Sequence, residues 1–525
     1  MSVGSVFDIL GPIMVGPSSS HTAGALRIAR LALSLCPAPI TEARLTLYKS
    51  FAKTHAGHGT DRALVAGLLG FDPDDPRIRD SFALAEKAGM HVAFSFEDGE
   101  PEMHPNTVDI SVTLADGERI SVRGESVGGG KARLTLVNGI SVDLTGAMPS
   151  LFVAHRDVPG MLAMMTSALG NAGVNIARMS SYRTTPGNMA YAVFEMDSAP
   201  QDVVCAYIRA ARGVESVQLV PQLGDASSPD VVSALDFSDG AGLLALCRER
   251  GMGIGEAMRA READIRGDEG TVDAMMARVL RVMREEVSSA ISDPVETLGG
   301  MIEGNAALFA GAQDKGCDLC GGVVTRAGAY AMATIERSAS MGVIVAAPTA
   351  GASGVLPGAL LALAEARDLD DETLTRALFT AAAVGAVYEH NASVSGAQGG
   401  CQAEVGTASA MAAAALVDAL GGTAQDCANA AVIATGNLLG LVCDPVRGLV
   451  EVPCQVRNVI GVADAFTAAQ LALCGVRLPL TFDEAVEASR QVGAALPETL
   501  RETAMGGFAA VCGATGGCDA CGGCA

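Results

Sequence analysis

A multidomain chain is predicted, with an α+β N-terminal domain over residues 1–146, a βαββαβ middle domain over 147–224 and a mainly all-α domain over 225–505, followed by a flexible Cys-rich tail over 506–525. Three observations predict it. At 525 residues, 49% hydrophobic and 18% charged, the chain is too long for one core and too apolar to remain disordered. Its first half mixes helical runs with period-two alternation, whereas beyond Asp236 the alternation gives way to Ala, Gly, Leu and Met. Between the two textures, Leu223-Gly-Asp-Ala-Ser-Ser-Pro-Asp230 clusters turn formers without any apolar period and reads as a linker.

The elements follow in order. Ala23–Leu33 is a strong helix former, while Val108–Leu114 and Gly139–Leu144 alternate as strands, which makes the first domain α+β. A second module starts with the strand Leu151–His155, the turn Arg156-Asp-Val-Pro-Gly160 and a helix with Leu162, Met165 and Leu169 on one face, stopped by Gly173. The strand Val174–Met179, a Pro186-Gly-Asn turn, a strand that aligns Ala192, Phe194 and Met196, a helix near Asp202–Arg212 and the strand Ser216–Val220 complete the ferredoxin-like plan. From Asp236 to about Leu500, helices should pack closely through small side chains. The longest uncharged stretch, Ser338–Ala364, contains two prolines and several glycines and reads as a buried, kinked helical core, not as a membrane span.

Charge and cysteine usage restrict the partners. With Lys+Arg 36 against Asp+Glu 59, a formal net charge of −23, the chain would oppose a phosphate backbone, so nucleic acid is not an expected partner. Without a charged-then-apolar leader, the expected setting is cytoplasmic, with no membrane partner. Fourteen cysteines in that setting argue against a disulfide framework and for metal binding. The five lysines (Lys49, Lys53, Lys87, Lys131, Lys315) all precede the most motif-rich stretch, which argues against a Schiff base to pyridoxal phosphate there; genome composition also explains such a lysine deficit.

Several residues have the chemistry for a site. Cys401 follows Ser395-Gly-Ala-Gln-Gly-Gly, and Cys443 and Cys454 bracket Asp-Pro-Val-Arg-Gly-Leu-Val-Glu-Val-Pro, where chain direction changes and thiolates can converge. Three thiols with no fourth nearby suggest a cubane iron–sulfur cluster with one open iron; zinc and plain burial remain alternatives. An open iron acts as a Lewis acid toward a departing hydroxyl, which makes dehydration the natural reaction class. Ser18-Ser19-Ser20-His21-Thr22 runs into a helix start, an arrangement suited to anions that also reads as a plain cap. His55-Ala-Gly-His58-Gly-Thr60-Asp61 reads as a polar loop before a helix, and either histidine could act as a general base, although a lone histidine also reads as a surface or cap residue. Asn106 reads as a turn former, and Ala347–Gly354 as a loop whose amides could cradle a carboxylate. Asn391, within Glu389–Gly396, adds a polar group ahead of Cys401. Cys518, Cys521 and Cys524 imitate three ligands of a ferredoxin cluster but lack a following Cys-Pro. Cys317-Asp-Leu-Cys320 could pass for a zinc or redox pair, although its apolar flanks favour burial.

With Ser5–Gly24, Gly57-His-Gly-Thr-Asp61, His104-Pro-Asn-Thr107, Ser338–Gly358, Asn391–Gly406 and Gly440–Cys454, the chain resembles the iron–sulfur-dependent L-serine dehydratases, or L-serine ammonia-lyases, over nearly its whole length. The resemblance implies a single-chain form that fuses a β-type domain, a regulatory domain and an α-type catalytic domain. It implies a [4Fe–4S] cluster on Cys401, Cys443 and Cys454, with His21 and His58 facing L-serine, His58 as base, and Ser18, Ser19, Ser20, Thr22, Thr60 and Asn391 binding substrate. Through Arg156–Leu162 and Gly173–Ile176, the middle module resembles an ACT domain. Asp157, Pro159, Gly160, Leu162, Asn175 and Ile176 are then the expected contacts for an amino-acid effector such as serine or glycine. Some family members place a C-terminal cysteine on the open iron, a role that would fall here to Cys524, with Cys518 and Cys521 as competitors.

The implied reaction takes L-serine through aminoacrylate and an imine to pyruvate and ammonia, with L-threonine as the nearest rival substrate. A homodimer is expected from the extensive small-residue helical surfaces. Two other classes compete: an amino-acid-sensing regulatory protein that uses the βαββαβ module, and an iron–sulfur carrier that uses the Cys-rich tail. Neither needs His58 or the Ser18–Thr22 constellation.

Overall fold

The computed structural model describes residues 3–183, 185, 187–223 and 233–512. Contacts divide the chain into two compact units, one of Met1–Ser19 with Asp230–Ala525 and one of Ser20–Pro229. The Leu223–Asp230 linker beyond Leu223 and the cysteines of the tail from Cys518 onward lie outside the described residues.

The Ser20–Pro229 unit contains two sheets. The first has six strands in the order His91–Glu97, Ile40–Tyr48, Thr107–Leu114, Arg119–Gly128, Lys131–Val137 and Ile140–Leu144. Only the pairing of His91–Glu97 with Ile40–Tyr48 is parallel. The alternation read from sequence is realised on one face: Val108, Ile110, Val112 and Leu114 are buried, as are Ile140, Val142 and Leu144. Helices Ala25–Ser34 and Thr60–Leu68 pack against each other. They approach so closely that a Cβ on Gly67 would stand 2.6 Å from Ala29 Cβ.

In the second sheet, the antiparallel order is Val214–Val220, Ser150–Arg156, Met189–Met196 and Ile176–Arg183. Helices Met161–Asn171 and Asp202–Arg209 complete a strand-helix-strand-strand-helix-strand sequence. Their apolar faces meet the sheet around Leu151, Val153, Met165, Leu169, Phe194 and Ile208. The first of these helices ends as the sequence suggests, with Gly173 at φ +74° beyond its last turn.

The other unit is helical and is built around Thr407–Ala419, whose thirteen residues are all buried. Helices Val355–Arg367, Asp371–Asn391, Ala424–Leu438 and Cys454–Leu473 pack against it. Its alanine-rich surface permits this, because small side chains let helix axes approach on every side. One expectation is corrected here. Ser338–Ala364 is buried but not a continuous helix: the β-branched run Val343–Val345 forms a strand paired antiparallel with Ile13–Val15. Met341, at φ +62°, turns the chain into that strand. Among the described residues no helix is long and apolar enough to cross a membrane.

Gly67 sets the spacing of the two helices that follow the Ser20–Thr22 and His58 segments. Gly67→Ala should destabilise this unit by about 1–3 kcal/mol through overpacking against the 25–34 helix, measured by urea denaturation. A variant with an unchanged midpoint would show that the contact has slack.

Candidate functional site

Two groups of chemically competent side chains emerge, one in each unit. In the Ser20–Pro229 unit, helix Ala25–Ser34 is preceded by a wide π-helical turn, Ser19–Gly24, and not by a simple cap. That turn buries His21 and Thr22. His21 Nδ1 lies 2.9 Å from Ser20 Oγ and its Nε2 lies 2.8 Å from Ser50 Oγ, so both ring nitrogens are hydrogen-bonded. The His58 segment is not the loop expected from sequence. Lys49–His58 is itself a helix, closed by Gly59 at φ +62°, and a new helix starts at Thr60. Ala and Lys in Lys49–Ala56 support helix, and the glycine alone breaks it. The break leaves the His58 carbonyl free to accept a 2.7 Å bond from Thr22 Oγ1. The His21 and His58 rings then lie 4.6 Å apart, with Phe51 edge-on to His21.

Burial holds the His58 imidazole at about 4 and His21 well below its ordinary range, His21 being lowered further by its neighbour His58. Both rings are therefore neutral at pH 7. His58 Nδ1 and Thr60 Oγ1 are buried without a protein partner, which leaves them available to a bound molecule. Ser18 and Ser19, which belong to the other unit, are also buried, and Ser19 Oγ has no hydrogen-bond partner. Ser50 is the residue that sequence reading passed over. Its N–H donates to Pro105 O at 3.0 Å, and Ser126 N donates to Asn106 O at 3.0 Å while Ser126 Oγ donates to Ser20 O at 2.8 Å. The His104–Thr107 turn thus braces the helix that carries His58 and the strand that holds the His21 turn.

In the helical unit, Cys401, Glu404 and Cys443 bring their ligand atoms within 4.8 Å of one another. Cys401 and Cys443 are buried. Cys454 lies outside that radius; burial first, and then the charges of Cys401 and Glu404, raise its thiol well above the ordinary value. A hydrogen bond from Cys443, aided by the Arg457 guanidinium, lowers Cys401 below the ordinary thiol value against the opposing effect of burial. Glu404 accepts from Thr349 Oγ1 at 2.9 Å and from Cys443 Sγ at 3.9 Å. Burial first, and then the Cys401 charge, push its carboxyl up to about 8. Glycine opens this space: a Cβ on Gly396 would stand 2.5 Å from Glu404 Oε2 and 3.3 Å from Cys443 Sγ. The donor set fits a thiolate-held metal, with soft buried ligands and a glycine-lined cradle around them.

Two further segments close on the thiols. Asn458 donates from Nδ2 to Gly351 O at 2.8 Å and to Cys454 O at 2.9 Å, and its Oδ1 accepts from Gly354 N at 3.1 Å. The Ala347–Gly354 loop thus lies against the site, but several of its amides already have partners, with Ala352 N on Thr349 O and Ser353 N on Ala350 O. That is narrower than the carboxylate cradle expected from sequence. From the other side, Cys443 N donates to Leu500 O and Glu502 N donates to Cys443 O, each at 2.9 Å. This bridge brings in Glu502, whose carboxyl is raised to about 8 by burial and by Glu404. A Cys-x-x-Glu spacing on one helical turn could have pointed to Glu404; nothing local to Glu502 or Arg457 pointed to them.

The remaining expected residues are placed elsewhere. Asn391 ends its helix with Nδ2 donating to Ser238 O at 2.7 Å and to Val387 O at 3.1 Å. In the second sheet's module, Asp157 Oδ2 accepts from Arg183 Nη1 at 2.7 Å and from Gly187 N at 3.2 Å. Asn175 donates to Asp197 at 2.7 Å, Pro159 and Gly160 are exposed at the helix start, and Leu162 and Ile176 are partly buried against the core. Cys317 and Cys320 are exposed, against the burial their flanks suggested, because Gly316 and Gly321 at positive φ lift the intervening residues out as a loop. Cys524 lies outside the described residues.

The family described as "Serine dehydratase beta chain" matches residues 5–134, and "Serine dehydratase alpha chain" matches residues 249–509. An "L-serine dehydratase" of Streptomyces coelicolor is 32% identical over 96% of this chain and 98% of its own length. From Bacillus subtilis, a "Probable L-serine dehydratase, alpha chain" is 42% identical over 51% of this chain and 89% of its own length. A "Probable L-serine dehydratase, beta chain" from the same organism is 42% identical over 38% and 91%, respectively.

The neutral histidine pair gives stability a pH slope. Folded His58 titrates at about 4 against 6.5 when solvated, so as pH falls below 6.5 the unfolded chain binds protons that the folded chain refuses. Stability should therefore fall with pH across that window, by at most about 1.4 kcal/mol per pH unit for each histidine. Urea midpoints at pH 7 and pH 5 should show the drop, and His58→Gln should flatten it; equal slopes in the two proteins would exclude a buried neutral His58.

Proposed function

The chain belongs to the serine dehydratase family, and from this premise we propose that it is an L-serine ammonia-lyase that dehydrates L-serine to aminoacrylate, the precursor of pyruvate and ammonia. The observation that carries the reading is the convergence of buried Cys401 and Cys443 with half-buried Glu404, to which buried Cys454 is electrostatically coupled. Cys401, Cys443 and Cys454 would hold a [4Fe–4S] cluster. When bound, such a cluster supplies Lewis acidity toward a leaving hydroxyl.

The other steps belong to this chain's own side chains. His58, neutral at pH 7 and with Nδ1 unpartnered, takes the Cα proton of L-serine. His21, fixed through both nitrogens, holds the geometry of the pair. Thr60, Ser19 and the neighbouring hydroxyls of Ser18, Ser20 and Thr22 orient the substrate's polar groups. Loss of the Cα proton and the β-hydroxyl leaves aminoacrylate; its imine tautomer is then hydrolysed by one water to pyruvate and ammonia. Asn391, with its amide hydrogens engaged, is a weaker candidate for substrate binding than sequence suggested.

The module of the second sheet is proposed as an ACT-like regulatory domain that takes a small amino acid at Asp157–Gly160 and Asn175–Ile176. Support comes from its strand order and from the exposed turn that opens its first helix. A cytoplasmic setting belongs to the same proposal, in keeping with free thiols such as Cys317, Cys320 and Cys474, and a homodimer is proposed from the small-residue helical surfaces read in the sequence.

Anaerobically purified protein should contain iron and sulfide in about equal amounts, as a [4Fe–4S] centre requires. Cys401→Ala should lose both, together with pyruvate formation. Activity that persists without iron and depends on added pyridoxal phosphate would reject the scheme. His58→Ala should retain iron while turnover falls by about 10²–10⁴-fold; full turnover would move the base elsewhere.

A further inference from the structure

Arg457 lies one turn beyond Cys454 on the helix Cys454–Leu473, and its side chain is only 12% exposed. Its Nη1 donates to Val442 O at 2.8 Å and to Cys401 Sγ at 3.6 Å, and pairs with Asp444 Oδ1 at 2.7 Å. Val442 and Asp444 are the two residues that flank Cys443. One guanidinium therefore touches segments bearing all three thiols: the sulfur of Cys401, both neighbours of Cys443, and, through its own helix, Cys454. Asp444 extends the tie, since its Oδ2 accepts from Phe508 N at 2.8 Å at the start of the last described helix.

The charges around it give this contact its force. Cys401, Glu404 and Cys443 bring their ligand atoms within 4.8 Å of one another, and the guanidinium that donates to Cys401 Sγ sets a positive charge against that donor set. A buried cation that is both fixed by a carbonyl and paired to a carboxylate is pre-organised, which an ammonium on a shorter, more flexible stem does not reproduce.

We propose that Arg457 is a positioning residue for the thiol-bound metal group: it aligns the three cysteine segments before the metal enters and neutralises the loaded site through an N–H directed at sulfur. This rests on the reading of the three thiols as the metal site. Outer hydrogen bonds and charge of this kind govern both metal retention and reduction potential.

The test uses full-length wild-type, Arg457→Gln and Arg457→Lys proteins, reconstituted anaerobically with ferrous iron and sulfide, after circular dichroism has compared their folds. Three quantities are measured: bound iron per chain, the rate at which a chelator removes the visible absorbance, and the midpoint potential. Arg457→Gln should bind iron with a several-fold loss of retention, and what remains should be reduced at a more negative potential, because the positive charge that stabilises an added electron is gone. Arg457→Lys should recover the potential in part and retention incompletely. A folded Arg457→Gln that matches wild type in all three measurements overturns the proposal. Should that variant not fold, Arg457→Lys decides: faster chelator loss than wild type supports the role, and identical behaviour overturns it. Wild-type protein that takes up no iron would instead overturn the metal reading itself, along with the inference built on it.

Discussion

Crowding of ionisable groups in one buried space is the constraint on which the helical unit depends. Three thiols and two carboxyls share that space, and each group that ionises raises the cost for the others. Without compensation, such a set would remain largely protonated or unfold the site. Compensation comes from Arg457, from the Thr349 hydroxyl and from any metal that the thiolates hold. Helices rich in alanine and glycine make the arrangement possible. They come close together at Gly354, against Ala331, and at Gly461, against Val405 and Val355, while Gly396 leaves no side chain between Glu404 and Cys443.

The site also concentrates backbone strain. Arg447 and Glu502 adopt φ of +57° and +59°, conformations that cost a non-glycine residue about 1 kcal/mol or more. Both lie in the segments that deliver Cys443 and close over it. Strain of this kind persists only where surrounding contacts overdetermine it, and here those contacts include the backbone bridge between Cys443 and Arg501. The local cost is offset by the bonds that fix Glu502 and Cys443 in register.

Much of this was legible in the sequence, for identifiable reasons. Period-two alternation in Val108–Leu114 and Ile140–Leu144 predicted strands because each has one wet face and one dry face. Glycine-flanked cysteines marked the places where the chain turns toward a common point. The failures came from tertiary context. His55–Asp61 looked like a loop because its residues are polar and glycine-bounded, yet His55–His58 closes the helix Lys49–His58 that buried Phe51 anchors. Val343–Val345 is too short to show its own alternation and becomes a strand only because Ile13–Val15 comes to pair with it. Arg457 and Glu502 carry no local signature, since their roles arise from partners 56 positions away in one case and from a backbone bridge in the other.

The pairing of Ile13–Val15 with Val343–Val345 has a consequence for how the chain order should be read. Residues 3–19 pack as part of the helical unit, with Ser5 Oγ donating to Glu262 at 2.5 Å and Arg261 donating to the Val3 and Gly4 carbonyls. The conspicuous Pro17-Ser-Ser-Ser-His-Thr22 run therefore spans a change of unit: its first hydroxyls end one body and its histidine begins the other. A motif that is continuous in sequence need not be one structural part. Hydroxyl, imidazole and glycine chemistry is packed within a single π-helical turn at that change of unit, Ser19–Gly24.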